Sequence, residues 1–245
     1  KIGNNQSEDL YPKLKNLADK IVNDEILSSR SREKSEYSNK VLHEKVRYEI
    51  LRRFGYFVTE SSEHFAEYVP WFIKQNRKDE LEKYKIPIEE YIDRCEINIK
   101  LWNKLEEDMS PIYEQPLERS HEYASYIIDG VVNNKEITIN ANVMNNGYIE
   151  NLPSNCCVEV PCIINSNGYS PQKFGKLPEH LAALMRTNIN VQILTAEAAL
   201  TKKRETIYHA ALLDPLTAAN LTIDEIYSMT DKMIEAHGNY LPEYN

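Results

Sequence analysis

Apolar residues at helical spacing dominate the beginning of the chain. From residue 9 to about residue 30 they recur every three or four positions, at Leu10, Leu14, Leu17 and Ile21. This spacing puts them on one face and predicts an amphipathic helix. A second pattern places apolar residues at every fourth position, at Leu42, Val46, Ile50 and Phe54. It predicts a stronger helix, which Gly55 ends.

The sequence patterns that come next predict a polar segment and a third helix. Residues 28–40 are polar and charged without an apolar period, which indicates a solvated excursion between helices. The third helix is predicted to begin at Ser61 or Ser62, where a hydroxyl can cap free backbone N–H groups. It is expected to run to about Lys74 despite Pro70.

The second half of the chain changes from helix to strand. Helices are predicted over 77–108, with a break at Pro87, and over 119–133. Apolar and polar residues then alternate over 137–143 and again over 157–164, which predicts two strands. The connection between them, MNNGYIENLP, is rich in turn residues, so the strands are expected to pair antiparallel.

Helical patterns return near the end of the chain. Three segments are predicted, over 178–200, 202–213 and 223–237, with Asp224 opening the last helix and Gly238 closing it. Together the elements predict one mainly helical α+β domain, spanning 1–245, with a small antiparallel sheet.

Composition narrows the class of protein. A chain of 245 residues with 42% hydrophobic and 27% charged residues can bury a core. The net charge of −9 disfavours a nucleic-acid partner, because such binding depends on clustered Lys and Arg. No apolar run is long enough to span a bilayer, and the first residues lack the apolar region of a secretory signal. We therefore expect a cytoplasmic protein with no nucleic-acid or membrane partner.

The cysteines do not indicate a metal or disulfide site. Cys156, Cys157 and Cys162 lie within seven residues, but no CxxC or paired-histidine motif accompanies them. In alternating sequence they are expected to be small core residues. The chain also has no GxGxxG, GxxxxGK or GxSxG motif, so it carries no dinucleotide-binding or serine-hydrolase fingerprint of its own.

The densest group of functional side chains lies in GYFVTESSEHFAEYVPWF, residues 55–72. On the predicted helix His64 and Tyr68 share one face, and Glu60 and Ser61 stand at its positive amino-terminal end. This arrangement can present a base and hydrogen-bond donors to a sugar. The structural alternative is slightly favoured on spacing alone: the polar groups cap the helix, and its aromatic residues, Tyr68 included, belong to the core.

Two further segments have the same two interpretations. In LERSHEYASYI, Arg119 is either part of a solvated helix start or a forked donor to an anionic or hydroxylated substrate. In MNNGYIENLP, Gly147 is expected to adopt a positive φ in a turn. Alternatively, Asn145 and Asn146 supply amide groups to a sugar.

Several blocks of the sequence resemble glycoside hydrolase family 4. They occur in the order of the family, at 8–14, 46–72, 146–162, 177–201 and 209–226. The block TESSEH is the most specific, because it is similar to the α-galactosidase and α-galacturonidase branch more than to the 6-phosphoglucosidases. The resemblance thus covers most of the chain. Residues 28–40 match no part of the family pattern, which implies a surface insertion there.

The resemblance implies a glycosidase that does not use two carboxylates. In this family NAD takes hydride from C3 of the sugar, and a divalent metal, typically manganese, polarises the resulting ketone. A base, usually a tyrosine, removes the C2 proton, and the aglycone leaves. Water then adds and the hydride returns, so α-galactosides or α-galacturonides are hydrolysed without net redox.

The family's NAD-binding Rossmann domain and its metal-binding CHS and NH blocks are expected upstream of EDLYPKL, and neither block occurs here. The chain therefore resembles the carboxy-terminal substrate-binding and dimerisation domain, which is similar to that of lactate and malate dehydrogenases. By itself it is expected to bind neither NAD nor Mn²⁺ and to be inactive. Its expected partners are the sugar, the Rossmann domain and further copies in a homo-oligomer.

The resemblance also implies site residues. Tyr68 is the expected base, with Tyr56 as runner-up. Because an ordinary tyrosine has a pKa of about 10, the base needs a metal or another cation nearby. The expected substrate contacts are Glu60, Ser62 and His64, with weaker ones at Arg119 and Asn146.

Two rival functions remain open at this point. The first is a hydroxy-acid dehydrogenase relative, whose carboxy-terminal domain shares the fold, although TESSEH argues against it. The second is a sugar-binding or dimerisation module without chemistry, which agrees with the missing metal-binding blocks.

Overall fold

The computed structural model describes residues 9–23, 44–88, 90–107 and 122–245. The chain forms two compact units, one made of Lys1–Pro87 and Ala183–Asn245 and the other of Ile88–Ala182. The structure is mainly helical and includes one three-stranded sheet, which confirms the predicted fold class. Within the described ranges, no helix is both long and apolar enough to cross a membrane.

The first unit is helical in its described part. Its helices are α1 (Tyr11–Val22), α2 (Lys45–Phe54), α3 (Ser62–Tyr68), α4 (Lys78–Tyr84), most of α7 (Glu179–Thr201), α8 (Arg204–Leu213), α9 (Pro215–Asn220) and α10 (Ile223–His237). Helix α1 confirms the start of the first predicted helix. The predicted continuation beyond residue 23 and the proposed insertion at 28–40 lie outside the described residues.

Helix α2 forms where apolar residues recur at every fourth position, as the sequence predicted. Val46 and Ile50 are buried in a core that also contains Ala66, Val69, Phe72, Tyr84 and Ile86. The helix ends where predicted, because Gly55 adopts φ +79 and donates its N–H to the Leu51 carbonyl. A left-handed residue at this position lets the chain reverse without a Cβ clash.

Helix α3 begins where predicted but ends six residues earlier. The Ser61 hydroxyl accepts a hydrogen bond from the His64 N–H, so Ser61 is the cap. The predicted end near Lys74 is wrong, because Val69 is extended at φ −131 and ψ 153. Val69 precedes Pro70, and the proline ring disfavours a helical conformation in the residue before it.

The break predicted at Pro87 is confirmed. It separates α4 from α5 (Glu90–Glu107), and Lys85 adopts a left-handed conformation at the end of α4. Near the carboxyl end, α7, α8 and α10 confirm the three predicted segments.

Two details of the last helices differ from the prediction. Helix α9 was missed, although Asp214 caps it and Pro215 opens it. The last helix is capped by Thr222 in a reciprocal pair with Glu225, not by Asp224. Both helix starts have short sequence motifs, Asp-Pro for the first and Thr-x-x-Glu for the second. Gly238 closes the helix as predicted.

The second unit contains the sheet. Strand β1 (Ile137–Met144) pairs antiparallel with β2 (Cys157–Asn165), as predicted, with Ile137 opposite Ile164 and Met144 opposite Cys157. A third strand, β3 (Gly168–Pro171), was missed. It follows β2 through a tight turn and pairs with it antiparallel.

Helix α6 (Ala124–Val132) packs against this sheet. It matches most of the helix predicted over 119–133, of which 119–121 lie outside the described residues. Gly130 permits a close approach, since a Cβ there would lie 3.1 Å from the Lys135 carbonyl oxygen and 3.2 Å from Cγ1 of Ile137.

The cysteine prediction is confirmed for Cys156 and Cys162, which are buried. It is wrong for Cys157, which is exposed. Cys157 begins β2, whose alternation buries Val158 and turns the preceding side chain to the opposite face.

Candidate functional site

The TESSEH block, residues 59–64, spans the end of the segment that connects α2 to α3 and the first turn of α3 in the first unit. Arg47 of α2 donates from Nε to the Val58 carbonyl oxygen at 2.9 Å, which fixes the start of the segment. The Glu60 carboxylate accepts a hydrogen bond from the Ser61 N–H at 2.8 Å. Glu60 therefore lies at the amino end of α3, as the sequence predicted.

The surroundings of Ser62 indicate that its side chain has a structural role. Its side chain is buried, with 3% of the residue exposed. Its hydroxyl donates to Oε2 of Glu44 and accepts from the Arg47 N–H, both at 3.3 Å. Because both hydrogen bonds are internal, Ser62 joins α2 to α3, and its contact with substrate stays a prediction.

His64 is available at the surface of α3. Its side chain is 46% exposed, and its Nδ1 lies 3.2 Å from Oε2 of Glu67, one turn later. When the Nδ1–H donates to the Glu67 carboxylate, the Nε2 lone pair is the acceptor that the ring offers to another group. Glu67 thus orients the ring and selects its tautomer.

Tyr68 closes α3 and is 44% exposed, so it is not the core residue of the structural alternative. Asn188 of α7 donates to its carbonyl oxygen at 3.2 Å. Partial burial raises the pKa of the Tyr68 phenol, and the carboxylates of Glu60 and Glu67 raise it further. The structure therefore brings these groups within electrostatic range, and they favour a protonated Tyr68.

Aromatic side chains add a hydrophobic surface to this region of the chain. Tyr56 follows the Gly55 turn and is 43% exposed. Trp71 is equally exposed and packs its ring 5.4 Å from that of Phe54, at an angle of 38°. Trp71 was not among the predicted site residues; the signal was its place in VPWF, between the buried Val69 and Phe72.

The turn of the second unit has two neighbouring asparagines with different roles. Asn145 is completely buried, and its Nδ2 donates to the carbonyl oxygens of Ile149, Leu152 and Pro153 at 2.9 to 3.1 Å. Its Oδ1 accepts from the Ile149 N–H at 2.7 Å. The proposed sugar contact of Asn145 is therefore wrong, because the loop itself uses its amide.

Asn146 is exposed at φ 42, next to Gly147 at φ 88, and the positive φ predicted for Gly147 is confirmed. The side chain of Asn146 is thus presented to solvent by a turn that Asn145 holds. Arg119, the other weaker candidate, lies outside the described residues.

A metal site would need several acidic, histidine or cysteine side chains of the described residues to lie together. Among those residues, no group of three or more lies in a position to hold a metal ion. The chemistry that this part of the chain offers is hydrogen bonding and charge, from Glu60, His64, Glu67 and Tyr68.

Comparison with known proteins identifies the family. Residues 1–217 match the model of the family 4 glycosyl hydrolase C-terminal domain. An α-galactosidase of Bacillus subtilis is 44% identical over 236 residues, which are 96% of this chain and 51% of that protein. An α-galacturonidase of Thermoanaerobacter italicus is 25% identical over 236 residues, covering 95% of this chain and 51% of that protein.

A solved structure has a similar fold. A 6-phospho-α-glucosidase from gut microorganisms, solved in complex with NAD and Mn²⁺, superposes with a TM-score of 0.66 at 18% identity. The match covers 97% of this chain and 52% of that chain. The chain thus spans about half the length of the proteins it matches. It belongs to glycosyl hydrolase family 4 and corresponds to the carboxy-terminal domain of that family.

Proposed function

We propose that this chain is the substrate-binding part of an NAD- and divalent-metal-dependent enzyme that hydrolyses α-galactosides. The observation that carries the proposal is the exposed polar group on α3, where His64, Glu67 and Tyr68 occupy one short helix with Glu60 at its start. The identity of 44% to an α-galactosidase over nearly the whole chain supports the same activity.

Charge favours galactose over galacturonate as the bound sugar. A galacturonide carries a carboxylate on C6, and it would meet the carboxylates of Glu60 and Glu67 near Tyr68. Like charges at short distance repel, whereas a neutral galactoside experiences no such repulsion. The lower identity of 25% to an α-galacturonidase agrees with this preference.

His64 is proposed to bind a sugar hydroxyl. Glu67 holds Nδ1, so the Nε2 lone pair accepts the hydroxyl proton in a hydrogen bond. Such a contact fixes the orientation of the ring without taking the proton away. The exposed aromatic side chain of Tyr56 supplies the second tyrosine considered for the base.

Tyr68 is proposed as the proton-transferring group, but its surroundings oppose that role in this chain alone. Its raised pKa keeps the phenol protonated at neutral pH, so it donates a hydrogen bond to the sugar. To accept the C2 proton it needs a positive charge that offsets Glu60 and Glu67. In the described part of the chain, no group of metal ligands supplies that charge.

NAD and the metal are therefore proposed to be held outside the residues described here, in the half of the protein that the relatives carry in addition. When bound, NAD would accept and return hydride, and the metal would polarise the sugar ketone. The Rossmann domain and further copies of the chain are the proposed partners, and a cytoplasmic location stays a prediction.

An assay of the full-length gene product tests the proposal. It would use nitrophenyl α-galactoside and a matched α-galacturonide, with NAD, manganese and a reductant each added or withheld. We expect hydrolysis of the galactoside that requires both NAD and manganese. If a folded, NAD-bound protein hydrolyses neither sugar, the glycosidase proposal fails in favour of a dehydrogenase relative or a sugar-binding module. Preferential hydrolysis of the galacturonide would overturn the charge argument alone.

A further inference from the structure

Arg47 contacts both ends of the segment that carries Glu60. Its Nε donates to the Val58 carbonyl oxygen at 2.9 Å, and its backbone N–H donates to Oγ of Ser62 at 3.3 Å. The same guanidinium lies 4.5 Å from the centre of the Phe57 ring. One residue of α2 therefore holds the chain before Glu60 and the chain after it.

A third partner closes these contacts into a ring. Arg47 donates from Nη1 to Oε2 of Glu44 at 3.1 Å, and Ser62 donates to the same oxygen at 3.3 Å. Glu44 precedes α2 and forms no side-chain cap of its own helix. The Arg47 N–H belongs to the first turn of α2, where backbone donors lack a partner within the helix. Ser62, fifteen positions later, supplies that partner.

The environment makes this ring stiff. The side chains of Arg47 and Glu44 are only 21% and 32% exposed, and Ser62 is buried. Charged hydrogen bonds are stronger where water is partly excluded. The two hydrogen bonds of the guanidinium are donated by different nitrogen atoms of one planar group. The single ammonium of lysine cannot reproduce this geometry.

We propose that Arg47 is a positioning residue for the substrate-contacting segment at the start of α3. The inference rests on the proposed function, and it adds a residue outside the predicted site. Arg47 does not touch the sugar. It holds the Val58 carbonyl and, through Ser62, the first turn of α3, so that Glu60 and His64 meet the sugar in one fixed orientation.

The test compares Arg47 with a matched arginine of the same helix. Arg53 pairs with Glu49 at 2.9 Å, and its side chain is 66% exposed. Arg47→Lys and Arg47→Ala would be measured beside Arg53→Lys and Arg53→Ala in the full-length enzyme. The readouts are kcat and KM for nitrophenyl α-galactoside, the melting temperature, and hydrogen exchange of the amides from 57 to 64.

We expect kcat to fall about 100-fold in Arg47→Ala, because a displacement of reacting groups by about 1 Å reduces enzyme rates by about that factor. Arg47→Lys should remain folded and lose kcat, whereas both Arg53 variants should stay within about twofold of wild type. Exchange of amides 57–64 should accelerate only in the Arg47 variants. Guanidinium ion, at concentrations that do not denature the protein, should restore part of the kcat of Arg47→Ala, and sodium ion should not.

Each contrary result has a definite meaning. If Arg47→Lys and Arg47→Ala match the Arg53 variants in kcat and in exchange, Arg47 is not a positioning residue. If the Arg47 variants lose melting temperature while the folded Arg47→Lys keeps full kcat, its role is stability alone. If wild type hydrolyses no sugar, the proposed function fails. Unchanged exchange in Arg47→Ala would then separately refute the ordering of the segment.

Discussion

The imidazole of His64 and the carboxylate of Glu67 form a pair one helical turn apart, with Nδ1 3.2 Å from Oε2. A second pair of the same kind occurs in α8, where Nε2 of His209 lies 3.6 Å from Oε1 of Glu205. The two histidine side chains are nearly equally exposed, at 46% and 47%. Only the first pair lies in the candidate site, so the second is its natural control.

His64→Ala should reduce catalysis more than folding. Loss of a hydrogen bond to the sugar should lower kcat/KM about 10- to 100-fold in the full-length enzyme. The free energy of unfolding should change by less than about 1 kcal/mol, because the hydrogen bond between His64 and Glu67 is exposed to solvent. Steady-state kinetics and denaturant unfolding would be measured beside His209→Ala. Near-wild-type turnover would remove His64 from the site.

The titration of Tyr68 should respond to its two acidic neighbours. Burial raises the pKa of Tyr68 first, and Glu60 and Glu67 raise it further, so the phenolate forms only above the ordinary range. The double substitution Glu60→Gln and Glu67→Gln should lower the pKa of Tyr68. Near-ultraviolet phenolate absorption of each protein, minus that of its Tyr68→Phe variant, isolates this group. An identical titration in both backgrounds would contradict the electrostatic account.

The buried carboxylate of Glu49 should make stability depend on pH. Burial raises its pKa, but Arg52 and Arg53 outweigh burial and hold the pKa below the ordinary value of 4.5. A lowered pKa in the folded state contributes stability that is present above the unfolded value and lost as pH falls through the folded one. Stability from Glu49 should therefore be present above about pH 4.5 and decline as the pH falls from that value through the lowered pKa of the folded state.

Glu49→Gln tests this dependence. It should lose about 1 to 3 kcal/mol of unfolding free energy at neutral pH, because charged hydrogen bonds are replaced by neutral ones. The difference from wild type should shrink as the pH is lowered to about 3. Urea unfolding at several pH values measures it, and a constant difference would show that the charge of Glu49 does not matter.

Substitutions at Asn145 and at Asn146 should have different effects, the first on stability and the second on sugar binding. Asn145→Ala leaves three carbonyl oxygens, two of them buried, and one buried N–H without their side-chain partner, so it should destabilise the protein by about 3 kcal/mol. Asn146→Ala changes an exposed side chain and should alter stability by less than about 0.5 kcal/mol. If Asn146 contacts the sugar, the KM of the Asn146→Ala enzyme for nitrophenyl α-galactoside should rise. Equal unfolding midpoints for the two variants would contradict the structural role of Asn145.

The elements that could be predicted from sequence depend on neighbours within a few residues. The four-residue period from Val46 to Ile50, the Gly55 stop and the Ser61 cap are local features, and all three occur in the structure. The predicted end of α3 was wrong for an equally local reason, since Pro70 disfavours a helical conformation at Val69. Strand β3 was missed because a strand of four residues has too few positions to display alternation.

The sequence by itself determined most of the helices, the first two strands and the family resemblance, because periodicity, caps and motifs are encoded at short range. Only the tertiary structure decided what the polar side chains do. Ser62 faces Glu44, eighteen positions away, and Tyr68 is surrounded by the charges of Glu60 and Glu67. The sequence left a sugar contact of Asn145 open as an alternative, and the loop that folds around its amide excludes that contact. Burial and charge at a side chain are set by what packs around it, and adjacent residues such as Ser61 and Ser62 can therefore have different roles.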